Sequence, residues 1–191
     1  YIICNHFNNH ISKKNYMKKI FFNNLRKLHF KIEDNFLIAL KKSIRNSNFI
    51  GGKVVKKFED NFKRFNKSKF CISCGNGSDA LFIAIKALGI KSGDEVIVTS
   101  FSWIASSAAI TMAGGKVIFC DIEKNGFNID PNLIEKKITK KTKGIIAVHL
   151  YGCPADMNKI MKISKKNKLW VIEDCAQAHL AEINGKKVGN F

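Results

Sequence analysis

The sequence predicts an α/β protein with a mostly parallel sheet that helices cover on both faces. Two observations support this prediction. Short apolar runs alternate with longer stretches of helical periodicity, as in Glu95–Thr99 followed by residues 103–113. The interiors of the strand-like runs are apolar, which is typical of parallel strands buried on both faces. In such sheets, ligand sites lie at the carboxyl ends of the strands.

Two amphipathic helices precede the alternating region. Residues 33–44 have apolar side chains at helical spacing, residues 54–65 place apolar side chains on one face, and Gly51-Gly52 separates the two. Residues 1–16 lack a continuous apolar core and begin without Met, so we assign them to an extension outside the fold. Residues 17–68 are then N-terminal helices, and residues 69–191 form the sheet-containing region.

The alternating region contains five predicted strands and four predicted helices. The strands are residues 69–73, 95–99, 116–120, 144–149 and 169–173, and the helices are residues 78–88, 103–113, 131–137 and 155–167. Asp130 is suited to cap a helix that has Pro131 in its first turn, and Gly89 is suited to end one. The predicted strands and helices therefore alternate, and residues suited to begin or end a helix lie at their boundaries.

Composition excludes several classes of protein. The net charge of +18 would suit a nucleic-acid-binding protein, but only Arg26, Arg45 and Arg64 are arginines, and base-specific contacts rely on Arg. The excess is also concentrated in the N-terminal helices, since residues 17–69 carry 15 basic and 4 acidic residues against 16 and 11 in residues 70–191. No run reaches the roughly 18 apolar residues of a membrane span. We predict neither nucleic-acid binding nor membrane insertion.

The six cysteines do not form a disulfide framework. They lie in or beside strand-like runs, where free Cys behaves as a small hydrophobic residue. Cys71 and Cys74 have the spacing of a redox or zinc motif, but no second pair follows at finger spacing, so we predict structural cysteines and no metal. Together with the missing signal peptide, this composition predicts a reducing, cytoplasmic location.

A glycine turn between an apolar run and a helix is the strongest candidate for a ligand site. Gly75-Asn76-Gly77-Ser78-Asp79 follows the first predicted strand, and a helix start offers free N–H groups and the positive end of its dipole to an anion. The alternative is that Ser78 or Asp79 only caps the helix.

Two further residues strengthen the prediction of a site. Trp103 lies at a strand-to-helix junction, and Asp174 lies just past the end of a buried strand, where an ionised carboxylate needs a partner. The adjacent Glu173 points to the opposite face of the strand and is the weaker candidate for a carboxylate that contacts a ligand. We predict structural roles for His149 and His179.

Several segments together resemble the DegT/DnrJ/EryC1/StrS family, from about residue 18 to residue 191. They are Gly75-Asn76-Gly77-Ser78-Asp79-Ala80-Leu81, Gly93-Asp94-Glu95-Val96-Ile97-Val98, Ser102-Trp103, Val148-His149-Leu150-Tyr151-Gly152 and Ile172-Glu173-Asp174-Cys175-Ala176-Gln177-Ala178-His179. Asn48-Phe49-Ile50-Gly51-Gly52 with Phe58-Glu59 resembles the N-terminal segment of the family. The resemblance implies the large domain of a fold-type-I enzyme dependent on pyridoxal phosphate (PLP).

The resemblance also implies roles for individual residues. Gly77 and Ser78 bind the cofactor phosphate, and Asp79 contributes its backbone N–H. Trp103 stacks on the pyridine ring of PLP. Asp174 keeps the ring nitrogen protonated, so that the ring can accept electrons from the substrate. Gln177 reaches the ring hydroxyl.

By the same resemblance, the protein is a sugar aminotransferase that acts on a nucleotide-linked keto-sugar, with glutamate as amino donor, and forms a homodimer. No lysine of the chain matches the Schiff-base Lys of the family, which is expected shortly beyond Phe191, and the C-terminal small domain is also absent. The 191 residues are therefore expected to be an N-terminal part that is inactive alone. Leu180 departs from the family, which commonly has Gly there.

Three alternatives stay open at this point. Sugar dehydratases of the same family replace the Schiff-base Lys. A nucleotide-binding dehydrogenase is disfavoured, since the glycine turn lacks the third glycine of the dinucleotide fingerprint. A non-catalytic fragment could instead use its Lys-rich helices for interaction.

Overall fold

The computed structural model describes residues 20–21 and 24–191. The described residues divide into two compact units, one up to Ile50 and the other from Gly51 to Phe191. The predicted extension, residues 1–16, lies outside the described residues. The described part of the first unit contains helices α1 (Leu25–His29) and α2 (Glu33–Arg45). Helix α1 is capped by Asn24, whose side chain accepts a hydrogen bond from the Lys27 amide. Helix α2 confirms the helix predicted for residues 33–44.

The second unit contains the remaining elements. Its helices are α3 (Gly52–Asn66), α4 (Gly77–Ala87), α5 (Ala105–Met112), α6 (Pro131–Ile134) and α7 (Met157–Asn167), and its strands are β1 (Glu95–Thr99), β2 (Lys116–Cys120), β3 (Thr142–Val148), β4 (Trp170–Asp174), β5 (Glu182–Ile183) and β6 (Lys186–Lys187). Short 3₁₀ turns occupy Glu135–Lys137 and Leu150–Gly152. None of the described helices combines the length and the apolar character needed to cross a membrane.

Four strands form a parallel sheet in the order β2-β1-β3-β4, which confirms the predicted fold class. Successive residues of each strand point to opposite faces. On one face, Val96, Val98 and Ile146 pack with residues of α4 and α5. On the other face, Ile97 and Ile145 pack with residues of α6 and α7. Helices therefore cover both faces, as the apolar strands require.

Local features of the sequence set the boundaries of these elements. Asp130 caps α6 by accepting a hydrogen bond from the Asn132 amide at 2.8 Å, and Gly89 follows α4 with a φ of 76°, as predicted. Gly144 in β3 lies beside Trp170 in β4, and a Cβ atom at Gly144 would lie 2.1 Å from the Trp170 ring. Glycine at this position allows the large ring to pack across the strand.

The strand predicted for residues 69–73 is absent. A strand needs the backbone groups of a neighbouring strand, and no described strand pairs with this segment. The amide and hydroxyl of Ser73 both donate instead to Oε1 of Glu59 in α3, at 2.9 Å each. Phe70 and Ile72 are 81% and 86% exposed, so the apolar pattern that predicted the strand lies at the surface.

A small antiparallel hairpin precedes the end of the second unit. Asn184 and Gly185 join β5 to β6 with φ values of 50° and 76°, which suits a two-residue hairpin turn. Lys187 of β6 contacts α3: its ammonium group donates a hydrogen bond to the Phe65 carbonyl and lies 4.5 Å from the centre of the Phe65 ring. The Lys186 ammonium lies 4.5 Å from the ring centre of Phe191.

Candidate functional site

The glycine turn leads directly into α4, and Asn76 caps that helix. The Asn76 side-chain oxygen accepts a hydrogen bond from the Asp79 amide, and its side-chain nitrogen donates to the Asp79 carboxylate, both at 2.9 Å. The alternative that Ser78 or Asp79 serves as the cap is therefore wrong, because Asn76 is the cap. The Asp79 N–H, which the resemblance assigned to a phosphate, is used by the cap.

The cap leaves other donors at the start of α4 available. Within the described part of the chain, the amides of Gly77 and Ser78 and the Ser78 hydroxyl have no hydrogen-bond partner, and both residues are exposed. A Cβ atom at Gly75 would lie 3.1 Å from the Asp79 carboxylate, so glycine is needed for the tight approach of the turn. Two amides, a hydroxyl and the positive end of a helix of eleven residues form a donor set that fits a phosphate.

Asp174 occupies the last position of β4, on the face that α4 and α5 cover. Its Oδ2 atom accepts a hydrogen bond from the Ser106 hydroxyl at 2.9 Å, and its Oδ1 atom accepts one from the Ala176 amide at 3.2 Å. Ser106 is 2% exposed and lies in α5. Both carboxylate oxygens are therefore oriented by protein donors, while the residue itself is only half-buried.

Ser106 is the site residue that the sequence prediction missed. Its amide donates to the carbonyl oxygen of Trp103 at 3.1 Å, and its hydroxyl lies 3.3 Å from that of Ser102. Ser106 therefore connects Asp174 to the segment that carries Trp103. The available signal was a second serine one helical turn after Ser102, just inside a helix that follows a buried strand.

Trp103 and Gln177 both lie at the surface of the described protein. Trp103 is 74% exposed, which leaves its indole ring accessible to a planar ligand. The side-chain oxygen of Gln177 accepts a hydrogen bond from the Tyr151 amide at 2.8 Å, which fixes the orientation of the Gln177 amide. Its NH₂ group has no acceptor among the described residues.

A cavity of about 400 Å³ lies between α3, α4 and β4. Of the predicted site residues, Gly77 and Asp174 line it, whereas Ser78, Asp79, Trp103 and Gln177 do not. Most of its other lining residues are apolar, among them Phe62, Leu81, Ile172 and Val188. An apolar cavity disfavours a charged phosphate, so the exposed start of α4 is the better phosphate site.

Glu173, next to Asp174, points to the opposite face of β4 and contacts His149. Its Oε2 atom lies 3.1 Å from Nε2 of His149 and accepts the Gly189 amide at 2.8 Å, and its Oε1 atom accepts the Phe191 amide at 2.8 Å. Burial raises the pKa of Glu173, but the hydrogen bonds from His149, Gly189 and Phe191 outweigh it and hold the pKa below its ordinary value.

His149 is fully buried, and both of its ring nitrogens are satisfied, as a structural histidine requires. Nδ1 accepts a hydrogen bond from the Ala155 amide at 3.0 Å, so the ring proton is on Nε2, which donates a hydrogen bond to Glu173. His179, by contrast, is exposed and packs edge-on against Phe62, with ring centres 6.1 Å apart.

Comparison with known proteins finds relatives that include a sugar transaminase. It is 47% identical over 160 residues to a "pleiotropic regulatory protein" of Geobacillus stearothermophilus, covering 84% of this chain and 43% of the relative. It is 44% identical over 170 residues to the dTDP-3-amino-3,6-dideoxy-alpha-D-galactopyranose transaminase of Aneurinibacillus thermoaerophilus, covering 89% and 47%. The chain therefore spans about half the length of the curated relatives it matches.

The fold of the chain also matches a solved structure. The E. coli GDP-4-keto-6-deoxy-D-mannose-3-dehydratase with bound hydrated PLP matches with a TM-score of 0.77 and 31% identity, covering 81% of this chain and 41% of that one. The sequence profile of the DegT/DnrJ/EryC1/StrS aminotransferase family matches residues 31–191, which include every candidate site residue described above. The chain belongs to this family.

Proposed function

We propose that this chain forms part of the cofactor site of a PLP-dependent aminotransferase that acts on a nucleotide-linked keto-sugar. The proposal depends on the geometry of Asp174. Its carboxylate lies at the carboxyl end of β4, and its two oxygens are oriented by Ser106 and Ala176. The similarity to a dTDP-sugar transaminase supports the reaction class. Glutamate as amino donor and a homodimeric enzyme remain predictions from the resemblance.

The described residues suit the two ends of the cofactor. The Gly77 and Ser78 amides and the Ser78 hydroxyl would hold the phosphate at the start of α4. The Asp174 carboxylate would hold a proton on the ring nitrogen, because an anion beside that nitrogen stabilises its protonated form. PLP supplies an electron sink for the substrate when it is bound.

Two further side chains would orient the ring. The exposed indole of Trp103 would cover one face and exclude water from it. The Gln177 NH₂ group, whose direction is set by the bond from the Tyr151 amide, would donate to the ring hydroxyl. Because none of the lysines in the chain matches the family motif, we propose that the cofactor-linking lysine belongs to the part of the relatives' length that this chain does not span.

The location in the cell is also a proposal. All five cysteines among the described residues are free thiols, which suits a reducing compartment. We therefore propose a cytoplasmic enzyme.

Binding of pyridoxamine phosphate tests the proposed site. This amine form of the cofactor has no aldehyde and so cannot react with the many surface lysines. We expect it to quench the tryptophan fluorescence of the 191-residue chain, which comes from Trp103 and Trp170, and to quench it less in Trp103→Phe. Pyridoxamine without phosphate should bind at least tenfold more weakly. Ser78→Ala should reduce that preference, whereas Ser107→Ala, a serine whose hydroxyl bonds only the Ile104 carbonyl, should not. Equal binding of the two compounds to the unsubstituted chain would show that α4 holds no phosphate.

Asp174→Asn tests the ring end of the site separately. We expect weaker binding of pyridoxamine phosphate with the preference for its phosphate unchanged, because the substituted group faces only the ring. Glu135→Gln, which changes an exposed carboxylate after α6, is the matched control. Unchanged affinity in Asp174→Asn would remove Asp174 from the site.

A sugar dehydratase of the same family is the second candidate, because a dehydratase is among the structural matches at 31% identity. Both candidates share the cofactor site described here and differ in the residue at the lysine position. Family membership rules out the dinucleotide-binding dehydrogenase. Failure to bind pyridoxamine phosphate would instead favour a non-catalytic role.

A further inference from the structure

Glu173 connects three separate parts of the second unit. Its strand, β4, runs parallel to β3, and His149 follows β3 directly. The remaining partners, the amides of Gly189 and Phe191, belong to the segment after the β5–β6 hairpin. The Glu173 side chain is 8% exposed and His149 is 0% exposed, so water competes little with these bonds.

All three partners of the Glu173 side chain are donors. The two backbone groups are N–H groups, and the His149 ring can only donate from Nε2 because its Nδ1 accepts the Ala155 amide. A carboxylate is the side chain that accepts at both ends, whereas an amide of the same shape would present an NH₂ group to one of the donors. The arrangement therefore requires an ionised Glu at this position.

We propose that Glu173, oriented by His149, is a positioning residue that fixes the backbone from Gly189 to Phe191 and thereby holds Gly189 as part of the cavity wall beside Asp174. Gly189 lines the same cavity as Gly77 and Asp174. A Cβ atom on Gly189 would lie 3.4 Å from the Cys175 sulfur, so the wall passes close to the residue that follows Asp174. That Glu173 fixes Gly189 to Phe191 follows from the hydrogen bonds alone. That this segment belongs to a cofactor site rests on the proposed function.

A metal site is the competing explanation for this group. One potential ligand atom each from His149, Glu173 and Cys175 lies within 4.8 Å of the others. Both Glu173 oxygens already accept N–H groups, however, and the Cys175 sulfur donates to the Glu173 carbonyl oxygen at 3.7 Å. Burial, followed by the charges of Glu173 and Asp174, raises the pKa of the Cys175 thiol to about 12. A metal would need the thiolate, so the contacts favour a hydrogen-bonded anchor.

Amide hydrogen exchange of the 191-residue chain tests the proposal without any cofactor. In Glu173→Gln we expect the protection of the Gly189 and Phe191 amides to fall at least tenfold, while Ile145 and Ile146 in β3 change less than twofold. The control is Glu182→Gln, an exposed carboxylate in β5, which should leave all four amides unchanged. Unchanged protection at Gly189 and Phe191, or an equal loss in β3, would overturn the proposal.

Chemical rescue gives a readout that a general loss of stability does not produce. Glu173→Ala leaves the three donors facing a space where a small carboxylate can bind. Sodium formate should restore protection at Gly189 and Phe191, and sodium chloride at the same concentration should not. Equal effects of the two salts would contradict an anchoring role.

The unsubstituted chain provides a test that does not depend on a variant folding. Nitrogen NMR of His149 should show a proton on Nε2 and none on Nδ1, and the opposite tautomer would overturn the proposal. One-to-one binding of Zn²⁺ that is lost in Cys175→Ser would overturn it too. If pyridoxamine phosphate fails to bind the unsubstituted chain, the proposed function fails, but the exchange result still decides whether Glu173 fixes the segment.

Discussion

The two faces of β4 end in neighbouring carboxylates with opposite surroundings. Asp174 accepts one side-chain and one backbone hydrogen bond beside the segment that carries the exposed Trp103. Glu173 accepts three hydrogen bonds, one of them from a fully buried histidine. Strand alternation alone sends the two side chains to opposite faces. The comparison shows how one strand end can offer a ligand-accessible carboxylate on one face and a closed network on the other.

Removing each carboxylate in turn tests this comparison with the largest expected effect. Glu173→Ala should lower the free energy of unfolding by about 3 kcal/mol, because it leaves a buried histidine donor and two amides without an acceptor. Asp174→Ala should cost only about 1 kcal/mol, because its surroundings are partly hydrated. Urea denaturation of the two variants and the unsubstituted chain measures both values. Equal losses would mean that the two faces do not differ in the way described.

Acid should remove the stabilising contribution of Glu173. Because the pKa of Glu173 is lower in the folded chain than its ordinary value of 4.5, its stabilising contribution is complete above pH 4.5 and is lost as the pH falls through the folded pKa. His149, Cys175 and the amides of Gly189 and Phe191 are the groups that face this carboxylate.

The stability difference between the unsubstituted chain and Glu173→Gln should therefore shrink as the pH is lowered from 7 towards 3. Urea midpoints measured across this range give the difference at each pH. A difference that stays constant down to pH 3 would show that the charge of Glu173 contributes nothing.

A substitution of Ser106 tests the Asp174 face of β4 with a smaller expected loss of unfolding free energy. Ser106→Ala removes the side-chain donor to Asp174 and should cost about 1 kcal/mol of unfolding free energy. It should also weaken binding of pyridoxamine phosphate, because Asp174 is then held only by the Ala176 amide. Ser107→Ala is the control, since the hydroxyl of Ser107 bonds only the neighbouring carbonyl of Ile104. Identical behaviour of the two variants would mean that Ser106 does not orient Asp174.

The same contrast explains which features could be predicted from the sequence. Local alternation and capping residues predicted the parallel sheet, all four of its strands and the Asp130 cap, because these depend on neighbours in the chain. The prediction of a strand at residues 69–73 was wrong, because a strand needs a neighbouring strand to pair with and the apolar pattern does not reveal one. The bond from Ser106 to Asp174 joins residues 68 positions apart, and the partners of Glu173 lie 16, 18 and 24 positions away from it in the chain. Such contacts follow from tertiary structure and leave no local periodicity.

Leu180 lies six residues after Asp174. Its substitution by Gly is expected to change the free energy of unfolding least. Its φ of 73° falls in the left-handed region, where a side chain costs roughly 1 kcal/mol, and the resemblance assigns Gly to this position. Leu180→Gly should relieve that strain, while the greater freedom of Gly in the unfolded chain offsets about half of the gain. The expected net increase in unfolding free energy is about 0.5 kcal/mol, measured by urea denaturation.

Leu88→Gly provides the matched control for this substitution. Leu88 is 45% exposed, close to the 48% of Leu180, but its φ of −79° is ordinary for any residue. Glycine there relieves no strain and should lower the unfolding free energy by about 1 kcal/mol. If both substitutions destabilise the chain equally, the backbone of Leu180 is not strained, and the departure from the family's Gly carries no cost at this end of the Asp174 face.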